Sequence, residues 1–235
     1  MSSGRLFGIG VGPGDPELLT IKAVRCLREA SVVAYVSANG QPSIARVIVA
    51  GHLPGGQREL NLALPMQRLP ELAQAAYDEG ASRIGAELEQ GRDVALLCEG
   101  DPLFYGSFSQ LLARLVDCYA IEVVPGVLSF SAAAAATRQP LVARSESFVV
   151  VPATLPLERL RAKLSQADSA AILKLGRNLG KVRQVLGELG LLERAIYVER
   201  TSTEQERVMR LGDFDETEAP YFALVLLPRT AERDR

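Results

Sequence analysis

Three segments of the chain combine glycines with a few polar side chains, and chemistry is expected there. The first is Gly8-Ile9-Gly10-Val11-Gly12-Pro13-Gly14-Asp15-Pro16 and the second is Leu97-Cys98-Glu99-Gly100-Asp101-Pro102-Leu103-Phe104-Tyr105-Gly106. The third is Val123-Val124-Pro125-Gly126-Val127-Leu128-Ser129-Phe130-Ser131-Ala132. Missing side chains let a ligand or another backbone approach closely. Phosphate cradling is excluded by the spacing. A G-x-G-x-x-G fingerprint begun at Gly8 meets Pro13 at its last glycine, one begun at Gly10 meets Asp15, and no Gly-Lys-Ser/Thr ending makes a P-loop. Asp15 or Thr20 can cap the helix after the first segment. Asp101 suits an Asx turn or an N-cap, and the hydroxyls of Ser129 and Ser131 can serve a ligand or their own helix. A nucleophilic serine lacks a base, because the single histidine, His52, lies in the turn-like Ala50-Gly51-His52-Leu53-Pro54-Gly55-Gly56.

Each of these segments follows a short apolar run and precedes a stretch of helical period. Strands are expected over 6–11, 32–36, 60–64, 93–98 and 121–124, and helices over 18–30, 43–50, 71–90, 108–116 and 128–137. Strands this apolar are usually buried on both faces of a parallel sheet. Ligands of such sheets bind beyond the carboxyl ends of the strands, where these segments fall. The texture changes after Gln139-Pro140. Strands are expected over 148–151, 170–174, 195–199, 206–211 and 222–227, with helices over 157–164 and 179–189. The last three strands follow one another without a helix, which favours antiparallel hairpins or a meander. The expected fold is therefore α/β with two domains, 1–140 on a mainly parallel sheet and 141–235 on a mixed one. Residues 230–235 read as a frayed tail.

Hydrophobic residues make up 48% of the 235-residue chain and charged residues 23%, a globular composition too apolar for intrinsic disorder. A net charge of −2 gives no general attraction to nucleic acid or to an anionic membrane. Cys26, Cys98 and Cys118 form no C-x-x-C pair and are odd in number, so they read as small buried apolar residues, with neither a disulfide nor a metal site expected. No run of 18 apolar residues occurs, and residues 1–7 lack a signal-peptide pattern, so a cytoplasmic protein is expected.

Taken together, in this order and spacing, residues 10–15, 100–106 and 124–129 resemble the tetrapyrrole methylase family. Its members carry G-x-G-P-G-D, G-D-P-x-x-Y-G and V-P-G-x-x-S segments. The resemblance continues through Ile172-Leu173-Lys174-Leu175-Gly176-Arg177-Asn178, Tyr197-Val198-Glu199-Arg200-Thr201-Ser202 and Ala219-Pro220-Tyr221-Phe222-Ala223, and so spans nearly the whole chain. The length, the segment Lys22-Ala23-Val24-Arg25-Cys26-Leu27-Arg28-Glu29-Ala30 and the stretches 172–178 and 191–200 look most like members that methylate carbon 20 of precorrin-2, or its cobalt-containing counterpart, in cobalamin biosynthesis. Alternatives are methylation at another ring carbon, as on uroporphyrinogen III, diphthine synthesis on a protein, and a non-catalytic module that binds S-adenosylmethionine.

The resemblance implies a two-domain homodimer holding S-adenosylmethionine in the cleft between its domains. That cofactor has no phosphate and a positive sulfonium, so it needs backbone hydrogen bonds and apolar walls. Carried over by motif, Pro13, Gly100, Asp101, Phe104, Leu128, Ser129 and Leu175 are expected to line its pocket, with Ala223 bordering the adenine. Many members have a serine or threonine where this chain has Leu128, so the hydroxyl there comes from Ser129 or is replaced by backbone groups. The family's macrocycle bears acetates and propionates, for which Arg138, Arg144, Lys174, Arg177 and Arg200 are the expected cationic partners. Methylation of an electron-rich ring carbon needs no protein nucleophile, but a proton is lost; Asp101, Tyr105 and Glu99 are the candidate acceptors.

Overall fold

A computed structural model of the chain describes residues 3–38, 41–64 and 70–229. The expected tail, 230–235, lies outside the described residues. The chain divides into two compact units, Met1–Leu128 and Ser129–Arg235.

The first unit alternates strand and helix: β1 (Leu6–Gly10), α1 (Ile21–Glu29), β2 (Val32–Ala38), α2 (Ile44–Ile48), β3 (Arg58–Leu64), α3 (Pro70–Glu89), β4 (Val94–Cys98), α4 (Phe108–Leu115) and β5 (Ile121–Val124). All sheet pairings are parallel, in the order β3-β2-β4-β1-β5. Every residue of β1 and β4 is buried, because helices cover both faces. Leu6, Val94 and Leu96 pack with Ile84 of α3 and Leu111 of α4, whereas Phe7, Ile9 and Leu97 pack with Leu27 of α1 and Ile48 of α2. Alternate side chains of one strand thus enter different cores, which is why these strands read as unbroken apolar runs. Asp15 accepts from the Glu17 amide and Thr20 caps α1 through the Ala23 amide.

The second unit begins with α5 (Ser129–Thr137) and continues through β6 (Phe148–Pro152), α6 (Leu157–Ser165), β7 (Ser169–Leu173), α7 (Leu179–Glu188), β8 (Ile196–Glu199), β9 (Arg207–Arg210) and β10 (Ala223–Leu227). The sheet order is β6-β7-β10-β8-β9, with β6 parallel to β7 and the remaining pairs antiparallel. A plain meander would have set β10 beside β9. Instead β10, whose five residues are all buried, takes the sheet centre, and the largely exposed β9 stays at the edge. Ile172 and Val225 face α6 and α7 across a core that includes Leu160 and Val182, while Ala171, Val198 and Leu224 pack with Ala133 of α5.

Two features differ from expectation. The expected first domain ends at residue 140 and includes α5, whereas the unit boundary falls after Leu128 and Ala133 of α5 is buried against the second sheet. Its small side chains permit this close packing. Cys26 and Cys98 are buried as expected, but Cys118 is exposed in the turn after α4.

Candidate functional site

The three glycine segments form one object in the first unit. They leave the carboxyl ends of β1, β4 and β5, and β1 lies between the other two. Gly12 and Gly100 exchange backbone hydrogen bonds, Gly100 N–H to Gly12 O at 2.8 Å and Gly12 N–H to Gly100 O at 3.3 Å. Both have left-handed backbone, with φ of 77° and 64°. A Cβ on Gly10 would stand 2.5 Å from the Gly126 nitrogen, and one on Gly126 would stand 2.1 Å from the Gly100 oxygen. The glycines therefore let three backbones pack against one another, which is the second of the two uses expected of them. Asp101 fastens the assembly. Its Oδ1 accepts from the Leu103 amide at 2.9 Å and its Oδ2 from the Gly126 amide at 3.1 Å.

Around this cradle, Pro13, Phe104 and Leu128 are half-buried, and Ser129 is the half-buried first residue of α5. Tyr105 is exposed, with its ring edge-on to Phe104 at 4.9 Å and a left-handed φ of 56°. It is not a packed core ring. Glu99 keeps open surface, and its Oε1 accepts a long hydrogen bond of 3.4 Å from the Ala45 amide at the start of α2. Burial of the carboxyl group nevertheless pushes its pKa above the usual carboxylate range, outweighing the backbone hydrogen bonds that favour the anion. Burial also raises the neighbouring Cys98 thiol well above its ordinary value, with Glu99 and Asp101 adding to the effect, so this cysteine is inert.

The five candidate cations all belong to the second unit and all are exposed. Four of them, Arg138, Arg144, Lys174 and Arg200, hold left-handed backbone with φ between 48° and 57°. Arg138 closes α5 in a Schellman arrangement, its amide donating to Ala135 O while that of Gln139 donates to Ala134 O. Glycine is the usual residue at such a position. Strain of this kind in non-glycine residues concentrates at functional sites. Lys174 and Arg177 follow β7 and Arg200 follows β8, and antiparallel pairing of both strands with β10 puts their carboxyl ends at the same end of the sheet. Arg144 precedes β6, which runs parallel to β7, and so lies toward the opposite end of the sheet. Three of the five thus lie at the same end of this sheet. Arg138, Arg144 and Arg177 engage no carboxylate among the described residues, while Arg200 donates to the side-chain carbonyl of Gln205.

Two of the expected cofactor residues are buried. Leu175 is 0% exposed in the core with Leu179 and Val182, and Ala223 is buried at 6% where β10 begins. Beside Ala223, Arg200 N–H donates to Phe222 O at 2.8 Å.

The pattern of the Tetrapyrrole (Corrin/Porphyrin) Methylases family matches residues 5–215. The chain belongs to that family. Among its relatives is a precorrin-2 C(20)-methyltransferase from a Sinorhizobium species, 40% identical over 238 residues, covering 98% of this chain and 97% of the relative. The cobalamin biosynthesis protein CobIJ of Mycobacterium tuberculosis is 46% identical over 96% of this chain. The chain spans about half of that longer relative, 46% of its length. Among solved structures, the uroporphyrin-III C-methyl transferase of Thermus thermophilus complexed with S-adenyl homocysteine is similar with a TM-score of 0.70, 29% identity, and coverage of 96% and 92% of the two chains.

Some positioning contacts in this tetrapyrrole methylase left no trace in the sequence reading. Glu146 accepts from both Arg229 Nε (2.7 Å) and a second Arg229 nitrogen (3.0 Å), and also from the Ala143 amide (2.9 Å), which ties down the loop carrying Arg144. The buried Glu199 accepts from the Tyr197 hydroxyl and pairs with Arg207 at 3.3 Å, fixing the end of β8 beside Arg200. Burial first, and then Glu199, raises the Tyr197 hydroxyl far above its ordinary value. Glu146 and Arg229 are 83 residues apart, so no local pattern links them. Ser202, left-handed at φ 63°, was marked only as part of a motif.

Proposed function

We propose that this tetrapyrrole methylase transfers a methyl group from S-adenosylmethionine to carbon 20 of precorrin-2, either metal-free or cobalt-bearing, in cobalamin biosynthesis. The reading is carried by the 40% identity, over almost the whole of both chains, to a protein named for that reaction. The joined glycine loops suit the cofactor. They contain no phosphate-binding pattern, and they offer half-buried apolar groups at Pro13, Phe104 and Leu128 beside polar backbone. The Ser129 hydroxyl has no hydrogen-bond partner among the described residues and is available to a ligand heteroatom. Gly100 and Asp101 act by holding the loop shape, with the Asp101 carboxylate already engaged by two amides. When bound, the cofactor supplies an electrophilic methyl on a sulfonium.

On the substrate side, Lys174, Arg177 and Arg200, which follow strands that finish at the same end of the second sheet, are the proposed partners of the ring carboxylates, an Arg fork matching a carboxylate bidentately. Arg138 and Arg144 are further cationic candidates on separate loops. The protein is proposed to act as a cytoplasmic homodimer, which analytical ultracentrifugation tests for the oligomeric state. No described helix is long and apolar enough to cross a membrane. The deciding experiment incubates the protein with precorrin-2 and methyl-labelled S-adenosylmethionine, with and without cobalt, and reads product mass and label position. A single methyl at carbon 20 supports the reading. A methyl elsewhere, or none while S-adenosylhomocysteine binds, overturns it in favour of another ring position or another substrate.

A further inference from the structure

We infer that Glu99 is the base that receives the proton leaving carbon 20, an inference that rests on the reaction proposed above. In that reaction the ring π electrons at carbon 20 form a bond to the methyl carbon as its bond to sulfur breaks, with that pair going to sulfur. The carbon 20–hydrogen bond then breaks, its electron pair returns to the ring, and the proton passes to a Glu99 carboxylate oxygen. No oxidant or reductant is needed.

Three side chains of the β4–α4 loop are candidates, and their geometry separates them. Asp101 has both oxygens engaged by backbone amides of Leu103 and Gly126, and a proton on either would disturb the cradle. Tyr105 is a phenol, whose oxygen takes up a proton only after losing its own. Glu99 is the carboxylate of that loop that remains available. Its single hydrogen bond from another residue is the 3.4 Å contact with the Ala45 amide, it keeps open surface, and no cation pairs with it among the described residues. It leaves the carboxyl end of β4, adjacent to Gly100 of the cradle, where parallel sheets of this type bind ligands. The upward shift that burial imposes on its pKa makes it a better proton acceptor at neutral pH than an ordinary carboxylate.

The test compares the unsubstituted protein with Glu99→Gln and Glu99→Asp. Methyl transfer to precorrin-2 should fall by about 10²–10⁴-fold in Glu99→Gln, with partial activity in Glu99→Asp and S-adenosylhomocysteine affinity unchanged in both. A second readout involves no methyl transfer. With S-adenosylhomocysteine bound and the solvent changed to deuterium oxide, the unsubstituted protein should speed exchange of the carbon 20 hydrogen, and Glu99→Gln should lose that acceleration. Methyl transfer by Glu99→Gln at close to the unsubstituted rate overturns the assignment, as does loss of transfer with unchanged hydrogen exchange. If Glu99→Gln fails to bind S-adenosylhomocysteine, Glu99→Asp decides: carbon 20 exchange in it no faster than without protein, at unchanged S-adenosylhomocysteine affinity, overturns the role, and retained exchange supports it. If the unsubstituted protein does not methylate carbon 20, the proposed function itself fails, and this outcome is distinct from the others.

Discussion

The Asp101 carboxylate accepts a hydrogen bond from the Gly126 amide at 3.1 Å, joining the loop after β4 to the loop after β5. Its other oxygen holds the Leu103 amide at 2.9 Å within its own turn. The residue is therefore first a fastener. Asp101→Ala leaves a part-buried amide without its partner and is expected to cost about 1–3 kcal/mol. Urea unfolding should register that loss, and calorimetry should show weaker S-adenosylhomocysteine binding. Asp101→Asn keeps one acceptor oxygen and should fall between the two.

Gly126→Ala tests the close approach of the three backbones. The added Cβ would lie 2.1 Å from the Gly100 carbonyl oxygen, so the loops must part. Loss of S-adenosylhomocysteine binding is expected together with a lower melting temperature. Gly180→Ala in α7 is the control, since nothing lies within 4 Å of the new methyl group. Alanine favours helix over glycine by up to about 1 kcal/mol, so that variant should be equally or more stable.

Arg138 offers a separation of function from stability. Replacing a left-handed non-glycine residue at the end of α5 by glycine relieves backbone strain of about 1 kcal/mol. Arg138→Gly should therefore melt higher while its KM for the tetrapyrrole rises. An unchanged KM would assign the arginine to the surface alone.

At the end of the second sheet, Arg200→Ala and Arg177→Ala should each raise the tetrapyrrole KM roughly tenfold or more, as expected for a lost charge-assisted hydrogen bond of about 1.5–3 kcal/mol. S-adenosylhomocysteine affinity should stay the same. Steady-state kinetics beside calorimetry checks both. Loss of both affinities together would point to a damaged fold.

The raised pKa of Glu99 also has a stability consequence. The folded state holds this proton more tightly than the unfolded state does, so Glu99 lowers stability as pH rises from the ordinary carboxylate range through its higher folded value. Glu99→Gln should accordingly be more stable than the unsubstituted protein near pH 7. The difference should vanish below the ordinary carboxylate pKa. Melting temperatures of the two proteins across that range test the sign.

Much of this arrangement is legible in the residue order. Apolar runs and helical periods located the strands and helices because each depends on neighbours within one or two turns of chain, and Thr20 announces the start of α1 for the same reason. The glycine segments were likewise marked by composition, and their place at strand ends follows from the alternation around them. What tertiary structure decided is which distant groups meet. It set β10 between β7 and β8, gave Ala133 of α5 to the second core, turned Leu175 inward and kept Arg144 toward the other end of the sheet from Arg200. It also closed Gly10, Gly100 and Gly126 onto one another and left Asp101 fastening the loops while Glu99 stayed available. Local sequence sets which face of an element is apolar, but which partner covers that face depends on packing between segments far apart in the chain, and no short-range pattern encodes that choice.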